Sequence, residues 1–204
     1  MQESDFIFSK SVVTRFSHDL AGVISAVSNS LSLLEELGGG DEETLKLATE
    51  NATVLMGRLR FFRAAFGNEG PLTDIGVTRK IFEEYLSTLE NRAIHYECAW
   101  ETDEELPIFV FRLILLGGVI AAEQLPRGGK ITVCAKAGSH FVCLQAQGST
   151  VSPISSEETI SGNMLLPKAV PVVFLQKCCA EQDWQMTFSC QDGKAVIELG
   201  KTVK

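Results

Sequence analysis

Residues 13–37 read VTRFSHDLAGVISAVSNSLSLLEEL, and residues 38–40 are three glycines. Apolar side chains recur here at Val13, Phe16, Leu20, Val23, Val27 and Leu34, with Ser30 the one weak position in the series. The steps alternate between three and four residues, which is the a/d pattern of a heptad. The pattern predicts an amphipathic helix over about 5–37. Gly38-Gly39-Gly40 ends it, because glycine disfavours helix and readily takes a positive φ. Asp41 can then cap a second helix, and Glu42 and Glu43 suit the positive end of its dipole. That helix repeats the pattern at Leu45, Ala48, Ala52, Leu55, Leu59, Phe62 and Phe66, and Gly67 is its stop. Two helices joined by a short glycine loop form an antiparallel hairpin. A lone hairpin cannot shield both apolar stripes, so two copies are expected to pair as a four-helix bundle. The expectation is a homodimer through residues 1–67.

Beyond a linker at 67–71 (GNEGP) the pattern changes. It predicts helix at 74–91, strand at 94–101, helix at 107–125, and strands at 129–137 and 140–147. A loop, a helix at 166–182 and strands at 184–190 and 194–200 follow. ITVCAK, FVCLQA, MTFSC and AVIEL have the β-branched and aromatic content of strands, and the turn QDGK (191–194) joins the last two. The fold class is therefore α+β: the hairpin domain at 1–67, then a domain at 72–204 with one mixed sheet and helices on one face.

The net charge is −8 and the pI is near 5.0, which argues against nucleic acid as the main partner. The longest apolar stretch, 108–122, is interrupted by Arg112 and too short to span a bilayer, and MQESDFIFSK is no signal peptide. The six cysteines form no CxxC pair and no zinc-ligand spacing with histidine. They read as buried free thiols of a reducing compartment, which implies a cytoplasmic protein with no membrane partner.

Of the three histidines, His18 is the informative one. It falls at the f position of the heptad, the most exposed site of a bundle helix, where packing asks for nothing. Ala21, Gly22 and Ser25 around it are small, and Asn29 continues the same side. Asp19 follows directly, and a carboxylate beside an imidazole can orient the ring and take its proton as nitrogen attacks phosphorus. On spacing alone an exposed histidine is more often a bystander. His95, in a strand, and His140, at a hairpin tip, read as structural. No GxxxxGK[ST] loop and no nucleophile triad occurs.

The stretch RFSHDLAGVISAVSNSLSLLEEL resembles the phosphoacceptor helix of the ChpT-type histidine phosphotransferases of alphaproteobacteria. Arg15, His18, Asp19, Leu20, Gly22, Ala26, Asn29, Leu31 and Leu34 fall on the family's motif positions. RLRFFRAAFG (58–67) is similar to the family's second-helix ending. Val23 stands where the family has proline, and Ser30 where it has glycine. The resemblance implies a second domain like the ATP-binding domain of sensor histidine kinases, but degenerate. Anchored on Pro126-Arg127-Gly128-Gly129, the kinase asparagine position is Ile120, and Leu116 lies a turn earlier. Isoleucine cannot ligate Mg²⁺, which needs oxygen. Ala146 takes the place of the adenine-reading aspartate, no Gly-x-Gly loop lies between 151 and 168, and no asparagine occurs between Asn91 and Asn163.

The resemblance implies a relay without bound ATP. His18 takes a phosphoryl group from an aspartate on the receiver domain of a hybrid sensor kinase and passes it to the aspartate of a response regulator. Asp19 assists. Arg15, Ala21, Gly22, Ser25 and Asn29 would meet the partner, with Arg15 either on the phosphoryl group or on an acidic receiver edge. This chain would hold no cofactor and no metal of its own, and Mg²⁺ would sit on the receiver. Two alternatives stand beside this: a sensor kinase core that autophosphorylates from ATP, and a non-catalytic dimeric scaffold for response regulators.

Overall fold

The computed structural model describes residues 3–67, 72–103, 105–136, 138, 141–152, 160–161, 164–165 and 167–201. Helices α1 (Glu3–Glu36) and α2 (Glu42–Phe66) form the hairpin. The glycine stop closes as expected. Gly38 and Gly39 take φ values of 76° and 78°, and the Gly39 N–H donates back to the Leu34 carbonyl at 2.8 Å. Asp41 caps α2 by accepting from the Thr44 N–H at 2.8 Å. Helix α1 runs without interruption through Val23, where the family motif has proline. Ser30, the polar member of the heptad, is buried. Its hydroxyl donates to the Ala26 carbonyl at 2.8 Å and accepts from Asn51 Nδ2 of α2 at 3.1 Å. The odd residue in the stripe is thus satisfied by a partner across the hairpin.

The remaining elements are α3 (Ile75–Ser87), β1 (Tyr96–Thr102), α4 (Ile108–Glu123), β2 (Gly129–Lys136), β3 (Phe141–Gln147), the short strands β4 (Ile160–Ser161) and β5 (Met164–Leu165), α5 (Val170–Ala180), β6 (Trp184–Gln191) and β7 (Lys194–Lys201). A 3-10 turn, Pro167–Ala169, leads into α5. The pair β4–β5 falls in the expected loop. The main sheet has the order β1-β2-β3-β7-β6. Strands β1 and β2 are parallel, with α4 as their crossover, and the other pairs are antiparallel. Alternation sets the faces: Ile131, Val133, Ala135, Val142, Leu144, Ala146, Ala195, Ile197 and Leu199 are buried under the helices.

Helix α4 is the centre of this layer. A Cβ on Gly117 would come within 2.6 Å of Leu144 Cδ1, and one on Gly118 within 2.5 Å of Phe82 Cε2. The glycine pair therefore lets α4 touch the sheet on one side and α3 on the other.

The core crosses the boundary between the two sequence regimes. Phe16 of α1 stacks on Phe62 of α2 at 4.9 Å, and Phe61 stacks on Tyr85 of α3 at 3.9 Å. Phe66 meets Phe174 of α5 at 5.2 Å. Residues 68–71 of the expected linker lie outside the described residues.

Two expectations change, for Val13 and for the cysteines. Val13, placed on the inner stripe, is 65% exposed. Its neighbours Ser11, Val12 and Arg15 face the second domain instead, because Ala169 and Val170 dock there against Ile7, Phe8 and Val12. Leu45 and Leu59 of the second stripe are exposed as well, so a single copy leaves part of both stripes uncovered. The cysteines are free as expected, but only Cys179 is fully buried and Cys190 is exposed. Among the described residues, no helix is long and apolar enough to cross a membrane.

Candidate phosphotransfer site

His18 projects from α1 with 82% of its side chain exposed, and its Nδ1 lies 3.3 Å from Asp19 Oδ1. An ionised carboxylate only accepts hydrogen bonds, so the contact assigns the proton to Nδ1. Nε2 then carries the lone pair. The arrangement is that of an exposed imidazole oriented by a neighbouring acceptor.

Asp19 is itself held. Its side chain is 19% exposed, and its Oδ2 accepts from Arg15 Nε. Arg15 lies one helical turn earlier and is 10% exposed. A terminal nitrogen of the same guanidinium donates to Glu123 Oε1, at the end of α4. The four side chains form a line: His18, Asp19, Arg15, Glu123. Burial acts to lower the proton affinity of Arg15, but the carboxylates of Glu123 and Asp19 outweigh it and hold the guanidinium charged. Burial raises Glu123 above the usual carboxylate range, against the opposing pull of Arg15.

The backbone under His18 is fixed by Arg58 of α2. One terminal nitrogen donates to the Asp19 carbonyl at 2.8 Å, and the other donates to the Thr88 carbonyl, just past α3, at 3.0 Å. Two hollows flank this point. A groove of about 380 Å³ runs between α1 and α2, lined by His18, Gly22, Val23, Ala26, Asn51 and Val54 among others. A cleft of about 290 Å³ on the other side is lined by Arg15, Arg58, Tyr85, Tyr96, Glu123 and Pro126 among others. Tyr85 is buried, and that burial pushes its hydroxyl far above its ordinary pKa, so it stays neutral.

Ala21, Gly22, Ser25 and Asn29 are all exposed, on the same side of α1 as His18. Arg15 is not with them. It was expected to face a partner, and it is turned inward, where Asp19 and Glu123 at the end of α4 accept from its guanidinium. Three residues of the site escaped sequence reasoning: Arg58, Asn51 and Glu123. Arg58 lay inside the second-helix motif without a role. The signal for Glu123 was a charge ending a helix whose only other charge is Arg112. His95 is exposed just before β1, and His140 lies outside the described residues. Ile120 and Leu116 are fully buried, and Ala146 is buried on the inner face of β3. Among the described residues, no cluster of three or more His, Cys, Asp and Glu side chains could hold a metal ion.

Comparison with known proteins bears on the family and the fold. Residues 77–194 match the family described as the histidine phosphotransferase C-terminal domain. The protein phosphotransferase ChpT of Brucella abortus (strain 2308) is 32% identical over 167 residues, which cover 80% of this chain and 70% of that protein. The solved structure of a bacterial phosphotransferase shares the fold, with a TM-score of 0.78 at 23% identity, covering 94% of this chain and 95% of that one. The histidine kinase AdeS of Acinetobacter baumannii is a more distant likeness, at a TM-score of 0.45 and 13% identity over 91% of this chain and 97% of that one. Fold and relatives together define the class, a protein phosphotransferase acting in a phosphorelay. Within that class, the chain belongs to the histidine phosphotransferase family.

Proposed function

We propose that His18 is the phosphoacceptor of a two-step relay between aspartates. The observation that carries this is the exposed imidazole with Nδ1 3.3 Å from Asp19 Oδ1, which leaves Nε2 as the nucleophile. In the first step Nε2 attacks the phosphorus of a phospho-aspartate on the receiver of a hybrid sensor kinase. The N–P bond forms as the P–O bond to the aspartate breaks, and the electron pair returns to that carboxylate. The positive charge that develops on the ring is met by Asp19 through Nδ1–H. In the second step the carboxylate of a response regulator attacks the same phosphorus, and the pair returns to Nε2. Mg²⁺ held by the receiver would neutralise the moving phosphoryl group.

The groove beside His18 and the small exposed residues Ala21, Gly22 and Ser25, with Asn29, support close approach by a receiver. Ten exposed large hydrophobics among the described residues of the hairpin, Ile24, Leu31, Leu45, Met56 and Leu59 among them, support a homodimer that covers them as a four-helix bundle. The chain acts without binding ATP. The support is chemical: Ile120 and Leu116 are apolar and sealed in the core, and alanine stands at 146. Free thiols and receiver partners fit a cytoplasmic setting.

The test is a phosphotransfer assay with a phosphorylated cognate receiver, on wild type and on His18→Ala. An acid-labile, base-stable label on wild type alone supports the reading. Wild type that takes no label from any cognate receiver, or His18→Ala that takes it equally, sinks it.

A further inference from the structure

Glu123 has no place in the relay as described so far. It ends a helix of the second domain, yet its carboxylate meets Arg15, 108 residues away in the chain. Arginine and a single carboxylate usually pair fork to fork, with both carboxylate oxygens engaged. Here the guanidinium is divided. Nε serves Asp19 Oδ2, a terminal nitrogen serves Glu123, and Asp19 Oδ1 remains for the His18 ring.

Charge points the same way. Arg15 carries one positive charge against two carboxylates, so the line ends at the ring with one negative charge in surplus. Remove the charge of Glu123 and the surplus vanishes. Arg15 would then turn more fully to Asp19 and compete with His18 for Oδ1. The other groups facing this line do not replace it. Arg58 spends its guanidinium on backbone carbonyls and the Thr88 hydroxyl, and Tyr85 is buried and neutral. Lys168, before α5, acts on Glu123 more weakly than Arg15 does.

We infer that Glu123 is a positioning residue for phosphotransfer at His18, acting through Arg15 to keep the Asp19 carboxylate divided between the guanidinium and the imidazole. The inference rests on His18 being the phosphoacceptor. It also makes that histidine responsive to the placement of α4, and so to the second domain.

The experiment uses the full chain with Glu123→Gln and Glu123→Asp. The pH titration of the His18 ring is followed by NMR, and transfer from a phosphorylated cognate receiver is timed. Glu123→Gln removes a negative charge from the line, so the ring should lose its proton at lower pH than in wild type. It should also slow transfer by about 10-fold with receiver affinity unchanged. Glu123→Asp keeps the charge on a shorter arm, so it should restore the pKa and only part of the rate. It also carries the test if the glutamine variant fails to fold. A His18 that titrates and transfers in both variants as in wild type overturns the inference. Should wild type take no label at all, the phosphoacceptor reading fails, while the titration still decides whether Glu123 is coupled to His18.

Discussion

Helices α1 and α4 are built on opposite plans. Twelve of the sixteen residues of α4 are buried, and every one is apolar or glycine. Helix α1 spans 34 residues, yet its buried members among those described are Ser11, Arg15 and Ser30, all polar. One helix supplies stability by burial, at roughly 25 cal/mol per Å² of apolar surface removed from water. The other holds polar groups in fixed places and leaves its reactive face outside. The comparison places the proposed chemistry where packing makes few demands, and the packed helix reaches it through its last residue, Glu123.

The most severe test of that division is His18→Ala. It should abolish labelling completely while leaving the thermal unfolding midpoint almost unmoved, since the ring makes no buried contact. A large loss of stability would mean that the reactive face is also structural. Next is Ile120→Asn, which returns an amide to the kinase position inside α4. It should cost about 3 kcal/mol in urea unfolding, from an unpaired buried amide and lost apolar contact. No nucleotide-dependent labelling should appear, and a stable variant that takes label from ATP would break the contrast. Leu31→Glu sits on the exposed stripe of α1. It should weaken the proposed dimer by at least about 10-fold in sedimentation, because the bundle would bury an unpaired carboxylate.

The smallest effect is expected from Gly22→Ala. A Cβ there meets nothing within 4 Å, so it should stabilise α1 by about 0.5–1 kcal/mol. If receivers dock on this strip, the added methyl should still slow transfer several-fold. Faster unfolding with unchanged transfer would contradict both halves.

Much of this was legible in the chain, and the unread part has a common cause. The heptads of 13–34 and 45–66, the glycine stop and the Asp41 cap are local signals, and local structure followed them. Strand alternation in ITVCAK and FVCLQA likewise set which residues point inward. His18 stood out because nothing in the heptad required it. Arg15 was misplaced because a helical wheel knows only its own helix. That residue turns inward to meet Glu123 at the end of α4, 108 positions away in the chain. Glu123 was overlooked for the same reason, and so was the exposure of Val13. Each depended on which side of α1 the second domain would cover, and no periodicity within the hairpin records that.

The clamp by Arg58 has a consequence for the lifetime of encounters. It ties the carbonyl of Asp19 to α2 and to the end of α3, so the main chain beneath the imidazole is ordered before any visitor arrives. A docking receiver need arrest only the two torsions of the histidine side chain, and the entropic toll of fitting is small on this side. Little affinity must then be held in reserve to offset it. A complex with so light a demand can be weak and still productive, and a carrier that must meet one protein and leave for another needs brief visits.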